Sequence, residues 1–169
     1  MLKYKYLRNY FILMRGEKAM IKSIYETHLE VRNLDESIMF YEKLGIKLAH
    51  KIEGRRVAFF FIGEDKQMLG LWEVEKGKEF HKGHFAFGVS LYELENSIEW
   101  LKVRGIKPSE NFFGLNSIEP VVHTWMPAAS VYFRDPDGNS LEFISLLNGE
   151  SVKTNQVLYL SEWKEKYSK

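Results

Sequence analysis

The 169-residue chain has no cysteine, only four prolines and almost no net charge. Without cysteine there is no disulfide framework, no thiolate zinc site and no cysteine nucleophile, so any metal must be held by His, Asp, Glu or backbone oxygen. The same absence fits a reducing cytoplasm. Lys and Arg number 24 against 23 Asp and Glu, which leaves none of the basic excess that nucleic-acid binding by phosphate neutralisation needs. No apolar run approaches the roughly 18 residues that span a bilayer. The start, MLKYKYLRNYFILMRGEKAM, has a basic stretch before a short apolar patch at Tyr10 to Met14. No small-residue cleavage site follows, so it does not read as a signal peptide. Arg15, Gly16 and Glu17 are encodable by purine-rich triplets at ribosome-binding spacing from Met20. Translation is therefore expected to begin at Met20, with residues 1–20 a non-native extension dispensable for chemistry.

What is present is a repeated plan. IYETHLEV reads as a strand, and Asn33 or Asp35 then caps a helix through Leu44 whose apolar residues Ile38, Tyr41 and Leu44 recur every three positions. Three β runs follow, Ile46 to Glu53, Arg56 to Ile62 and Gln67 to Val74, separated by Gly54 and Gly63 turns. The order βαβββ restarts at Gly83 with HFAFGVS and a helix from about Tyr92 to Arg104. Lys107 to Trp125 is an insertion with a short strand near Pro120 to Thr124; a loop of that length is functional or disordered. ASVYFRD and SLEFISLL close the second half. The fold class predicted is α+β, with two βαβββ modules, at about 24–75 and 83–147, sharing one core within residues 21–147. Residues 148–169 read as a strap or subunit contact ending in a short helix that carries Val157, Leu158, Leu160 and Trp163.

The hairpin turn DPDGN presents a carboxylate, Glu142, inside an apolar strand. Pro136 presets the turn, Gly138 tolerates positive φ, and Asp135 can accept hydrogen bonds from the backbone ahead of it. A carboxylate buried alone is costly, so Glu142 is at an edge, paired, or holding a cation. The first strand of each module carries one histidine, His28 in ETHLEV and His84 in GHFAFGV. A lone strand histidine is ordinarily structural, but two at matching places in duplicated modules are brought together by internal symmetry. With Glu142 they make a two-His, one-carboxylate set from three strands. That set suits one divalent ion (Zn²⁺, Ni²⁺, Co²⁺, Mn²⁺ or Fe²⁺) with positions open for water or substrate.

The duplicated modules, THLEVRNLDESIMFYEKLGIKL, GHFAFGV and VYFRDPDGNSLEFI together resemble the vicinal oxygen chelate superfamily. It includes glyoxalase I, fosfomycin-resistance proteins, methylmalonyl-CoA epimerase and extradiol dioxygenases. The resemblance covers about Ile24 to Leu147 and implies a glyoxalase-like curved sheet around a metal site, with His28, His84 and Glu142 on ligand positions. Glyoxalase I enzymes add a second carboxylate on the fourth strand, nearest Gly70 in QMLGLWEV; Glu73 replaces it as a fourth ligand only if the register slips by one. Glu30, two residues after His28 and on the same face, is a surface ion-pair residue or a catalytic base. His123 is a loop histidine or a second such group, and His50 and His81 read as solvent-facing. Most aromatic residues, Phe59 and Phe61 among them, fill the sheet, while Trp72, Trp125 and Phe113 are candidates for a substrate pocket.

The function implied is a metal-dependent lyase or isomerase of glyoxalase-like type. Its ion acts as a Lewis acid on a small organic substrate bearing vicinal oxygens. The alternatives are an extradiol-type dioxygenase and a metal-free drug-binding resistance protein of the same fold. Fosfomycin modification is disfavoured, because no arginine follows Leu147. Members of the superfamily commonly complete a site with a neighbour's sheet, so a homodimer is expected, with no nucleic-acid or membrane partner.

Overall fold

The first helix shows how local sequence sets the frame. Asn33 caps α1 (Leu34–Lys43) by accepting from Glu36 N–H, and Asp35 and Glu36 lie at its positive end. Leu34, Ile38 and Tyr41 are its buried apolar stripe, each contributing about 2 kcal/mol by removal from water. The computed structural model describes residues 20–21, 23–64, 67–154 and 156–167. The extension at residues 1–19, and with it most of the proposed non-native segment, lies outside them.

Module one is β1 (Glu26–Val31), α1, β2 (Lys47–Ile52), β3 (Val57–Ile62) and β4 (Gln67–Glu73), in sheet order β1-β4-β3-β2. Module two is β5 (His84–Gly88), α2 (Leu91–Val103), a small hairpin of β6 (Asn111–Phe112) and β7 (Leu115–Asn116), then β8 (Val121–His123), β9 (Ala128–Arg134) and β10 (Ser140–Leu146). Its sheet order is β8-β9-β10-β5, and β11 (Val157–Tyr159) adds to the free edge of β8. In both modules the first strand lies parallel to the last, β1 beside β4 and β5 beside β10. The predicted duplication of βαβββ units is therefore the architecture observed. Helix α1 covers β2, β3 and β4, and α2 covers β9 and β10. Their buried faces belong to one core that includes Leu29, Phe60, Leu71, Leu94, Phe133 and Leu141.

Element ends differ from expectation for physical reasons. β1 begins at Glu26 rather than Ile24, because Ile24 and Tyr25 are exposed and bury no side chain that would hold them in the sheet. α2 begins at Leu91, one residue early, where Ser90 and Glu93 form a reciprocal capping box. The expected turn at Gly54 is a single 3₁₀ turn, Glu53–Arg55, and the next residue, Arg56 (φ 52°), takes the left-handed conformation before β3. Glu73 receives both its Nε and its NH2 at 3.0 and 2.5 Å, a charge-assisted pair that offsets a strain of about 1 kcal/mol. The tail forms β11 and α3 (Leu160–Tyr167), which buries Trp163. Among the described residues no helix is long and apolar enough to cross a membrane.

The two modules are joined by the turn before β10. Asp135 accepts from the backbone N–H of Asp137 (3.1 Å) and Asn139 (2.8 Å), as predicted for this turn. It also accepts from Asn139 Nδ2 (2.7 Å) and, across the module boundary, from Tyr41 Oη of α1 (3.2 Å). Asn139 Nδ2 donates in addition to the Glu30 carbonyl (2.9 Å), while its Oδ1 accepts from Gly83 N–H (2.8 Å). Arg32 N–H donates to Asp137 (2.9 Å). Burial is the main reason Asp135 is held above the usual carboxylate range, with Asn139 and Tyr41 opposing it.

Candidate metal and substrate site

Leu29 and Val31 fill the core, so strand alternation turns Glu26, His28 and Glu30 to the sheet face away from the helices. The equivalent face of the second sheet carries His84, Ser140, Glu142, Ser130 and Tyr132, because Glu142 is the register partner of Tyr132 and Ala86.

His84 and Glu142 meet on that second face, with Nε2 3.1 Å from Oε2. The other ring nitrogen, Nδ1, lies 3.1 Å from the Ser140 carbonyl oxygen. A carbonyl only accepts, so Nδ1 carries a proton and Nε2 is turned to the carboxylate. Two acceptors therefore face the two ring nitrogens, an arrangement that a cation lodged between Nε2 and Glu142 would satisfy. Glu142 is 5% exposed on β10, an interior strand between β9 and β5. Its edge reading is thereby excluded, and its Oε1 accepts from Ser130 Oγ at 2.5 Å. Orientation of an imidazole by a carbonyl through its far nitrogen is the usual support for a metal ligand. The donor set therefore fits a divalent ion as half of a site.

His28 does not join this pair. Its Nε2 lies 2.5 Å from Glu26 Oε1, and its ring lies over Gly70, where a Cβ would stand 2.2 Å from Cδ2. Among the described residues no three His, Asp or Glu side chains are placed to hold one metal ion. Each module thus offers one imidazole–carboxylate pair on its open face, His28–Glu26 in the first and His84–Glu142 in the second.

Glu73, the candidate fourth ligand, is on the opposite face. Its carboxylate accepts from Leu34 N–H at 2.7 Å and binds Arg56, which holds its pKa below the usual range. The register does not slip: Gly70 pairs with His28 and Glu73 with Val31, so Glu73 caps α1 and is not a ligand. The same register relates Gly70 to Ser140 and Trp72 to Glu142. The first-module counterpart of Glu142 is therefore Trp72, two residues beyond Gly70. Trp72 packs on His28 with ring centroids 5.1 Å apart, and its buried Nε1 has no hydrogen-bond partner among the described residues.

Glu30 lies on the His28 face, but its Oε2 accepts from His81 N–H at 2.7 Å and sits 3.4 Å from His81 Nδ1. His81 is thus exposed yet paired, and His50 is exposed. His123 Nε2 is 2.7 Å from Tyr132 Oη. Burial lowers the His123 pKa, with Glu142 partly opposing, and burial followed by the Glu142 charge raises that of Tyr132. Beside Glu142 these two side chains join Phe113, Trp125, Met126 and Ile144 around a cleft of about 380 Å³. Phe113 stacks edge-on against His123 at 5.0 Å, with a left-handed φ of 52°. Trp125 and Phe113 therefore share one cleft and Trp72 lies on the other sheet. Larger grooves line the helical side, such as one of about 510 Å³ between Tyr92 and Trp100, and carry no histidine. Sequence reasoning missed Ser130 and Tyr132, although both are polar-tipped residues at alternate positions of the apolar run ASVYF.

The family description "Glyoxalase/Bleomycin resistance protein/Dioxygenase superfamily" matches residues 23–143. The metallothiol transferase FosB of Staphylococcus saprophyticus is 28% identical over 131 residues, 73% of this chain and 76% of its own. An integron cassette protein from the mobile metagenome of the Halifax Harbour sewage outfall is 34% identical, with a TM-score of 0.64 over 75% of this chain and all of the other. The lactoylglutathione lyase of Agrobacterium tumefaciens is 26% identical, with a TM-score of 0.56 over 75% of this chain and 96% of the other.

Proposed function

Because the chain belongs to the glyoxalase/bleomycin resistance protein/dioxygenase superfamily, we propose that it is a divalent-metal-dependent enzyme of glyoxalase-like, lyase or isomerase type. Its substrate is a small organic molecule bearing vicinal oxygens. The observation that carries this is the His84–Glu142 pair, whose 3.1 Å contact presents Nε2 and Oε2 to one point beside the aromatic cleft. His84 and Glu142 would hold the ion from one protomer and His28 from a second copy, since the pairs lie apart within the chain. When bound, the ion supplies Lewis acidity to a substrate oxygen.

The chain's own residues do the rest. Ser130 holds Glu142, and the Ser140 carbonyl fixes the His84 tautomer. Phe113, Trp125 and Ile144 give the cleft an apolar wall, and burial keeps the Tyr132 phenol protonated as a donor. Among the described residues no lysine or arginine lines the cleft. Glu30, whose Oε2 accepts from the His81 N–H, is the proposed base.

Metal content after purification without added ions tests the reading. About one ion per chain is expected, lost in His84→Ala. Mixing His28→Ala with Glu142→Ala protein should restore one intact site per mixed dimer, and a protein free of metal in every form overturns the proposal. Turnover of a methylglyoxal hemithioacetal, set against O₂ consumption with catechols, separates lyase from oxygenase chemistry.

A further inference from the structure

The face of β1 carries a carboxylate that the reading above does not use. We propose that Glu26 is a fourth metal ligand, delivered from β1 beside His28. This rests on the metal reading just given and assigns it one more donor.

β4 offers no ligand. Its residues on the open face are Met68, Gly70 and Trp72, register partners of Glu26, His28 and Glu30. A glycine has no side chain to give, and an indole N–H donates rather than coordinates. The missing β4 side chain has a second effect. It vacates the space into which the His28 ring leans, where even one added carbon would stand 2.2 Å from Cδ2 and 2.9 Å from Nε2. Trp72 at 5.1 Å and Phe59 at 6.3 Å meet the ring edge-on. The imidazole is therefore held low against β4 and near Glu26 at the start of β1.

Glu26 meets it there. Two residues apart on one strand, the side chains share a face, and Oε1 stands 2.5 Å from Nε2. This is the same ring atom that His84 turns to Glu142 in the second module. Both modules thus bring one imidazole Nε2 and one carboxylate oxygen to a point on their open faces. The second draws its carboxylate from the strand next to the histidine, the first from the histidine's own strand. The two pairs together supply two nitrogens and two carboxylates, whose double negative charge balances a divalent cation. Glu26 and His28 are both partly exposed, with side-chain accessibilities of 33% and 43%. They remain reachable by a facing sheet from a second copy.

The test is metal binding rather than turnover. Calorimetric titration with Mn²⁺ and water-proton relaxation of the bound ion are compared for wild type, Glu26→Gln and Glu142→Gln, with circular dichroism as the folding control. Glu26→Gln should lower affinity by at least tenfold and raise the relaxivity by an increment of one further bound water, since a solvent molecule takes the vacated position. A fall in affinity with unchanged relaxivity makes Glu26 an orienting partner of His28 and overturns the proposal, as does unchanged affinity. If wild type binds no Mn²⁺, or Glu142→Gln binds as tightly as wild type, the metal reading itself is what fails.

Discussion

Tyr41→Phe removes one oxygen from the boundary between the modules. Tyr41 is fully buried and Asp135 is 5% exposed, and the phenol donates to the carboxylate at 3.2 Å. A hydrogen bond to a charged group is worth about 1.5–3 kcal/mol; the long distance puts this one near the lower end. Phenylalanine keeps the ring, so no sizeable cavity term is added. Asp135 also retains its donors from Asp137 N–H, Asn139 N–H and Asn139 Nδ2 and is not orphaned. The expected loss is about 1.5–2 kcal/mol at neutral pH, which at a urea m-value of about 2 kcal/mol/M moves the midpoint down by about 0.8–1 M.

Acid should shrink that loss. Burial raises the Asp135 pKa. Its contribution to stability is therefore fully present below the ordinary carboxylate value and is lost as pH rises through the folded value. The Tyr41 phenol counteracts this by stabilising the ionised form. Once pH falls below the folded pKa, both proteins hold a neutral Asp135 and the gap contracts toward that of a neutral hydrogen bond, about 1 kcal/mol or less. Urea unfolding of both proteins at pH 7 and near pH 4 measures it. A gap below 0.5 kcal/mol at pH 7 (about a third of the low-end expectation), or one that widens in acid, refutes the reasoning.

Glu73→Gln should show the same acid narrowing for a different reason. Arg56 and the Leu34 N–H lower the Glu73 pKa, so its stabilisation is present above the ordinary carboxylate value and lost as pH falls through the folded one. A deficit of about 1–2 kcal/mol at pH 7, discounted for partial exposure, should diminish steadily in acid denaturation profiles. Gly70→Ala places a methyl 2.2 Å from the His28 ring. Because that ring is 43% exposed and free to swing outward, stability should change by about 1 kcal/mol or less while Mn²⁺ affinity falls at least tenfold. Calorimetry and thermal melts of the same preparation check both halves.

The legible part of the fold was the part set by local rules. The 3.6-residue stripe of α1, the turn residues of DPDGN and the matching placement of His28 and His84 all follow from spacing alone, and the duplication follows from them. Glu73 was misplaced only by allowing a register slip, and strict alternation already put it on the helix face. β11 escaped notice because three residues, Val157 to Tyr159, carry little periodicity. Their strand exists because the β8 edge is there to pair with. Arg56 was unreadable as a left-handed residue, since its strain is offset by Glu73, 17 positions away. The same limit hid Ser130 and Tyr132, whose roles depend on a register partner rather than on neighbours in sequence. Glu26 differs: its place beside His28 is written in the two-residue spacing, and only the contact distance distinguishes it from a surface glutamate.

Asn139 touches three segments far apart in the chain: the end of β1, the approach to β5 and its own turn. The covalent link between Val74 and Gly83 is therefore not what keeps the halves together. A chain cut in that linker would leave two fragments that still recognise each other through Asn139, the Tyr41–Asp135 bond, the Arg32–Asp137 contact and the shared core. The turn that aims β10 thus doubles as the clasp between the two modules, so a change at Asn139 loosens the metal strand and the module boundary together.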